Sequence, residues 1–118
     1  MRIFKETIGR SSGNIRFKDF QLPVGASVLS SDIQDGLIKF WYMINETSNT
    51  EIEKAVKKTV SFMLVFTGEP VDFPDDDECA YAHLTTLVEE EYGLVTHVFY
   101  CDPEEWEWDA PNEDEAVG

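Results

Sequence analysis

The second half of this chain contains no lysine and no arginine. All nine basic residues fall within residues 1–58, beside seven acids, for a net of +2. Residues 59–118 hold seventeen acids, a net of −17, and the whole 118-residue chain carries −15. That balance argues against ordinary binding to DNA, RNA or an anionic membrane, each of which repels the bulk of such a surface. Cysteine is scarce as well. Cys79 and Cys101 are too few for a disulfide framework, so the expectation is a cytosolic protein with reduced thiols. No window approaches about eighteen uninterrupted apolar residues, and Met1-Arg2-Ile3-Phe4-Lys5-Glu6 has no apolar h-region. Neither a membrane span nor a signal peptide is expected.

Reactive patterns are missing too. There is no glycine-rich phosphate loop, and Gly68-Glu69-Pro70 does not resemble one. No serine sits in a nucleophile elbow, and neither histidine stands beside a candidate nucleophile. Carboxylate pairs abound in any acidic chain, so they do not signal acid–base chemistry. The expectation is a protein that is not an enzyme and needs no cofactor.

What is present is enough for a core: apolar residues make up 42% and aromatics 13%, within the size of one domain. Period-two alternation with β-branched and aromatic residues dominates. Strands are expected over Arg2–Ile8, Asn14–Leu22, Ser27–Gln34, Leu37–Ile44, Thr59–Thr67, Ala80–Val88 and Leu94–Tyr100. Turn residues separate them: Ser12-Gly13, Pro23-Val24-Gly25, Asp35-Gly36, Gly68-Glu69-Pro70 and Tyr92-Gly93. Asp35-Gly36 between two apolar runs is the strongest hairpin signal. The fold class is mainly β, an antiparallel sandwich or partly open barrel of about seven strands. One segment breaks the pattern. Residues 45–58 form a short helix or loop insertion, with Thr50 as an N-cap and lysines at its end, where a helix dipole favours them.

Phe62–Phe66 and Leu37–Ile44 are apolar on both faces, so each should lie under another layer or against a second subunit. A homodimer is therefore expected. In the last hairpin, a register whose opposed numbers sum to 180 sets Cys79 against Cys101 and His83 against His97. The cysteines and histidines would stand about 13 Å apart along the strands, which forbids one zinc ion with ligands at about 2.0–2.3 Å. A His83–His97 half-site completed by acids is conceivable, but ordinary strand histidines are the plainer reading, so no metal is assigned. A Cys79–Cys101 bridge would need the same register and an oxidising setting. The run Asp72 to Glu78 lacks the spacing and glycine of a calcium loop, and is read as solvated.

Two domains of different character follow. Residues 1–101 form a β-rich domain, and residues 102–118 an acidic tail that carries Trp106 and Trp108. The tryptophans either fold back onto the sheet or anchor an acidic docking peptide that is ordered on binding. The candidate partner-binding residues are Asp75, Asp76, Asp77, Glu78, Glu89, Glu90, Glu91, Glu104, Glu105, Trp106 and Trp108. They serve either for solubility or as a negative surface for a basic partner.

Several stretches carry a family resemblance: Ile3-Phe4-Lys5, Leu22-Pro23-Val24-Gly25-Ala26-Ser27-Val28-Leu29, Gln34-Asp35-Gly36 leading to Phe40-Trp41, Thr67-Gly68-Glu69-Pro70, His83-Leu84-Thr85-Thr86 and Leu94-Val95-Thr96-His97-Val98-Phe99. Together they resemble a family of short bacteriophage proteins whose pattern runs from a Leu/Met-Pro-x-Gly-Ala turn to a final His-Val-Phe. Segment 45–58 and the tail depart from that pattern. The resemblance brings no activity; it implies a small phage protein in the cytoplasm of a bacterial host. The functional expectation is a host-interaction protein that inhibits or redirects a bacterial protein, such as a nucleic-acid-binding or defence protein, through its acidic surface. The alternatives are a nucleotide-signal sponge at an oligomer interface near Trp41, Tyr81, His83 and His97, and a minor virion or assembly component.

Overall fold

The computed structural model describes residues 1–10, 16–45, 49–68, 80–89 and 93–105. Within them lie seven strands and two short helical segments: β1 (Arg2–Arg10), β2 (Phe17–Pro23), β3 (Ser27–Gln34), β4 (Leu37–Ile44), α1 (Asn49–Lys54), β5 (Lys57–Phe66), β6 (Ala82–Glu89), β7 (Leu94–Cys101) and a helical turn at residues 103–105. They form two antiparallel sheets, β1-β4-β3 and β2-β5-β7-β6. This is the expected mainly β, sandwich-like architecture, without closure into a barrel.

Local chemistry explains the connections. Gln34 pairs with Leu37 across a two-residue turn in which both Asp35 (φ 53°) and Gly36 (φ 76°) are left-handed. Only a primed turn takes that shape, and Asp-Gly favours it. At Pro23–Ala26 the Ala26 amide donates to the Pro23 carbonyl at 3.0 Å, and Gly25 supplies the positive φ of 96° that closes the turn. Helix α1 is shorter than expected. It starts at Asn49, before the anticipated cap Thr50, and it ends at Lys54. Lys57 and Lys58 instead open β5, because they pair with Pro23 and Leu22 of β2. Lys57 still serves the helix end: its Nζ donates to the Ile52 carbonyl at 3.1 Å.

The core lies between the inward faces of the central strands. Phe40 of β4 and Phe62 of β5 are fully buried with ring centroids 4.3 Å apart, and Phe20 meets both edge-on at 4.9 and 5.7 Å. Tyr42 and Tyr100 extend this aromatic layer at 5.8 Å from Phe40 and 6.2 Å from Phe62. The alternation of β4 is regular: Ile38, Phe40, Tyr42 and Ile44 are buried, while Leu37, Lys39, Trp41 and Met43 on its outer face are half-buried. Among the described residues, the expected cover over both faces of β4 is thus complete on one face only. On β5, by contrast, Met63 and Val65 of the outer face are buried along with Val60, Phe62 and Leu64.

The register of the last hairpin differs from the expected one. Ala82 pairs with Tyr100 and His83 with Phe99; after a bulge at Leu84, Thr85 pairs with Val98 and Thr86 with His97. His83 and His97 are therefore not opposite each other. The offset is set at the turn, where Glu89 already pairs with Leu94, and the bulge then changes it by a single residue that no residue type in His83-Leu84-Thr85 announces.

Candidate functional site

Lys58 is the last cation of the sequence and the only one that is buried among the described residues. Its place in β5 directs it inward, two residues before Val60, where an unpaired ammonium would be strongly disfavoured. Each of its three donors is engaged. Nζ donates to the Ala26 carbonyl at 2.7 Å and to Asp102 Oδ2 at 3.0 Å, and it pairs with Glu104 Oε1 at 2.5 Å. Asp102 is as deeply buried as Lys58, with side-chain exposures of 1% and 6%.

The acceptors come from Asp102-Pro103-Glu104-Glu105, directly after β7. Asp102 Oδ1 accepts the Glu104 amide at 3.0 Å, and the Asp102 carbonyl accepts the Glu105 amide at 3.1 Å. This is a helix-start arrangement: an aspartate cap, proline in the first position and acids in the first turn. The turn delivers Glu104 to Gly25, whose amide donates to Oε1 at 2.7 Å. Burial pushes the Glu104 carboxyl up. The Lys58 hydrogen bond, the Gly25 amide and the Lys58 charge outweigh it, so the net displacement is downward. Tyr100 Oη donates to Glu105 Oε2 at 2.7 Å. Burial, that hydrogen bond and the charges of Glu105 and Asp102 push its phenol far above the ordinary range.

Around this cluster opens a pocket of about 450 Å³, lined by Gly25, Ala26, Ser27, Lys58, Asp102 and the two glutamates. With the ammonium saturated, its unengaged groups are carboxylate oxygens: Glu104 Oε2 and Glu105 Oε1 form no hydrogen bond among the described residues. Such a rim suits a cationic group and repels an anion.

Of the sequence-predicted partner residues, Glu104 and Glu105 are brought together here. Glu89 stands half-buried at the end of β6. Asp75, Asp76, Asp77, Glu78, Glu90, Glu91, Trp106 and Trp108 lie outside the described residues, as does the rest of the Asp72–Glu78 run. Sequence reasoning missed Lys58, Asp102 and Gly25. The cap-proline-acid-acid spelling of residues 102–105 was the available signal that the chain stays folded past Cys101.

The histidines take part in a row of hydrogen bonds on the outer face of β5, β6 and β7. Thr67 Oγ1 lies 2.9 Å from His97 Nε2, Thr86 Oγ1 lies 3.0 Å from His97 Nδ1, and the same hydroxyl lies 3.0 Å from His83 Nε2. Trp41 occupies the outer face of the other sheet, so one chain does not gather Trp41, His83 and His97 into a single site. Among the described residues no group of three or more His, Cys, Asp or Glu is arranged to hold a metal ion. Cys101 is buried and disulfide-bonded, against the expectation of a reduced thiol. Two cysteines exclude a framework of several bridges but not a single one. The other cysteine of the sequence, Cys79, lies outside the described residues.

No curated protein and no solved structure matches the chain. One family does, the domain of unknown function DUF7352, over residues 1–109. That span takes in segment 45–58, the Asp102–Glu105 turn and both tail tryptophans. The chain belongs to the DUF7352 family.

Proposed function

We propose that this is a non-enzymatic binding protein whose acidic second half docks on a basic surface of a partner protein. One observation carries the reading. After Lys58 the sequence offers seventeen acids and no lysine or arginine, and Lys58 itself is buried against Asp102 and Glu104. The remaining acids thus have no neighbouring cation in sequence to offset them, which favours steering toward a positive surface. Glu104 and Glu105, at the rim of the pocket, are placed to receive a lysine or arginine side chain of that partner.

The resemblance to phage proteins supports a more specific form: a phage protein in the cytoplasm of a bacterial host, inhibiting or redirecting a host protein whose basic groove normally holds nucleic acid. Pairing with a second copy belongs to the same proposal, since Phe17 and Val88 are 52% and 61% exposed on the β2-β5-β7-β6 sheet, away from Trp41.

The test is a pull-down from bacterial lysate at low and high salt, followed by titration of the purified candidate with the full-length protein. The comparison protein carries Asn and Gln at Asp75, Asp76, Asp77 and Glu78. A second comparison ends at Glu105, which keeps Lys58 neutralised. Binding that weakens steeply with salt and is lost with the charge-neutral variant is expected. Affinity indifferent to both changes would sink the acidic-surface reading.

A further inference from the structure

The net charge of −15 averages over a surface that the fold divides. Screening limits an exposed charge to about 8–10 Å at ordinary salt, so what a ligand meets is set by the face it approaches. Strands β1, β3 and β4 hold Arg2, Lys5, Arg10 and Lys39 against Glu6 and Asp32. Strand pairing sorts these further, because opposed residues share a face. Trp41 and Leu37 alternate with the buried Phe40 and Ile38, so they face outward. Lys5 stands opposite Trp41, Thr7 opposite Lys39 and Arg10 opposite Leu37. On the other flank, Ser30 stands opposite Trp41 and Asp32 opposite Lys39. Glu6 pairs with Phe40 and so belongs to the inner side.

The outer face of this sheet is therefore locally basic in a chain of −15. Lys5 and Lys39 flank a half-buried tryptophan, and Arg10 stands further along the face opposite Leu37, about 13 Å from Trp41 at ~3.3 Å per residue. Asp32, opposite Lys39, is the one acid placed on the face by these pairings. None of Lys5, Arg10 and Lys39 forms an ion pair among the described residues. Lys5 lies across the face, donating to Gln34 Oε1 at 3.3 Å. Asp32 directs Oδ1 to its neighbour, the Ile33 amide, at 2.7 Å.

From this arrangement we infer that the outer face of β1-β4-β3 is a binding site for single-stranded nucleic acid, with Trp41 as the stacking platform for a base and Lys5, Lys39 and Arg10 as phosphate contacts. An open sheet face with an indole on its central strand accepts an unstacked base without a pocket, and stacking of this kind tolerates any sequence. A duplex keeps its bases inside and cannot use the platform. The choice of occupant follows from charge and shape together: the cations select an anion, and the indole beside them selects a planar ring attached to that anion, which a nucleotide supplies and an acidic peptide does not. This site is separate from the acidic second half, so the protein joins single-stranded nucleic acid on one face to a basic protein partner elsewhere.

The test is fluorescence anisotropy of a labelled oligothymidylate of about fifteen nucleotides, beside a duplex of equal length, with the full-length protein at several salt concentrations. Expected is binding of the single strand in preference to the duplex, with log K falling against log salt at a slope of about −2 for three phosphate contacts. Trp41→Ala should weaken it by about 5- to 150-fold, the range for loss of one base–aromatic stack. Lys39→Gln should weaken it several-fold and flatten the slope by about 0.7. Both positions are on the outer face, and near-ultraviolet circular dichroism of the aromatic core checks folding; Lys5→Gln replaces either variant that fails. No binding at low salt, equal affinity for the duplex, or binding indifferent to Trp41 and Lys39 overturns the inference. So does sedimentation showing that Trp41→Ala dissolves a dimer which itself excludes the oligonucleotide, since the face would then belong to a second copy.

Discussion

Strand β5 presents two inner environments four residues apart, and they hold the sandwich together by different physics. At Phe62 three phenylalanine rings meet in a layer with no polar atom. At Lys58 an ammonium is enclosed by a carbonyl and two carboxylates, on the same face of the same strand. The aromatic cluster draws its stability from area removed from water and from ring packing, both graded quantities. The ionic cluster is all-or-none: complete, it roughly offsets the cost of desolvating its charges, and with one member missing it strands the other. Shape matters more in the first and completeness in the second.

The largest expected effect tests that contrast. Lys58→Met leaves Asp102 buried without a cation and should cost about 3–5 kcal/mol in denaturant unfolding. Phe62→Ala should cost about as much, through lost burial and a cavity. The double variants then separate the two. Lys58→Met with Asp102→Leu should recover most of the loss, leaving about 1 kcal/mol from the missing helix cap. Phe62→Ala with Phe40→Ala should recover nothing. Equal behaviour of the two doubles would erase the distinction.

A smaller effect is expected at Tyr100. Its ring packs against Phe62 while its hydroxyl donates to Glu105, so Tyr100→Phe removes the polar contact and keeps the aromatic one. The loss should be about 0.5–1.5 kcal/mol by the same unfolding measurement. A loss as large as that of Phe62→Ala would mean that the Asp102–Glu105 turn itself had opened.

The smallest effect is a dependence on pH. The Glu104 carboxyl is held below its ordinary value, so the folded state releases that proton more readily than the unfolded chain. Its stabilisation is fully present above the unfolded value of about 4.3 and is lost as pH falls through the lower, folded value. Denaturant midpoints measured across this acid limb should fall more steeply for the wild type than for Glu104→Gln. Parallel curves would remove Glu104 from the ionic cluster.

Much of the sandwich was legible in the sequence, for reasons that are local. Alternation along Leu37–Ile44 marks a strand wherever it is placed, and Asp35-Gly36 specifies its turn without help from the rest of the chain. What stayed hidden depends on pairing at a distance. Lys58 reads as the basic end of a helix until β2 claims it as a strand residue and Asp102 arrives from forty-four positions away. The hairpin register failed for a related reason: the turn that sets Glu89 against Leu94, and the bulge at Leu84, are properties of two strands together. The site was least legible of all, because an acidic run looks the same in sequence whether it is solvated or folded. Within 102–105 only the order of aspartate, proline and glutamates distinguished the two.

The position of Lys58's counter-ions also bears on how the chain is made. The β3-β4 hairpin is local and can form as soon as its residues emerge from the ribosome. Strand β5 can pair with β2 at that stage, but its ammonium has no carboxylate to meet until Asp102 and Glu104 have been synthesised. A shortened version of the sandwich would lack both β7 beside β5 and the carboxylates that neutralise Lys58. Contacts of such long sequence separation also slow folding once synthesis ends. The counter-ions of Lys58 thus arrive together with β7, the strand that pairs with β5 in the finished sheet.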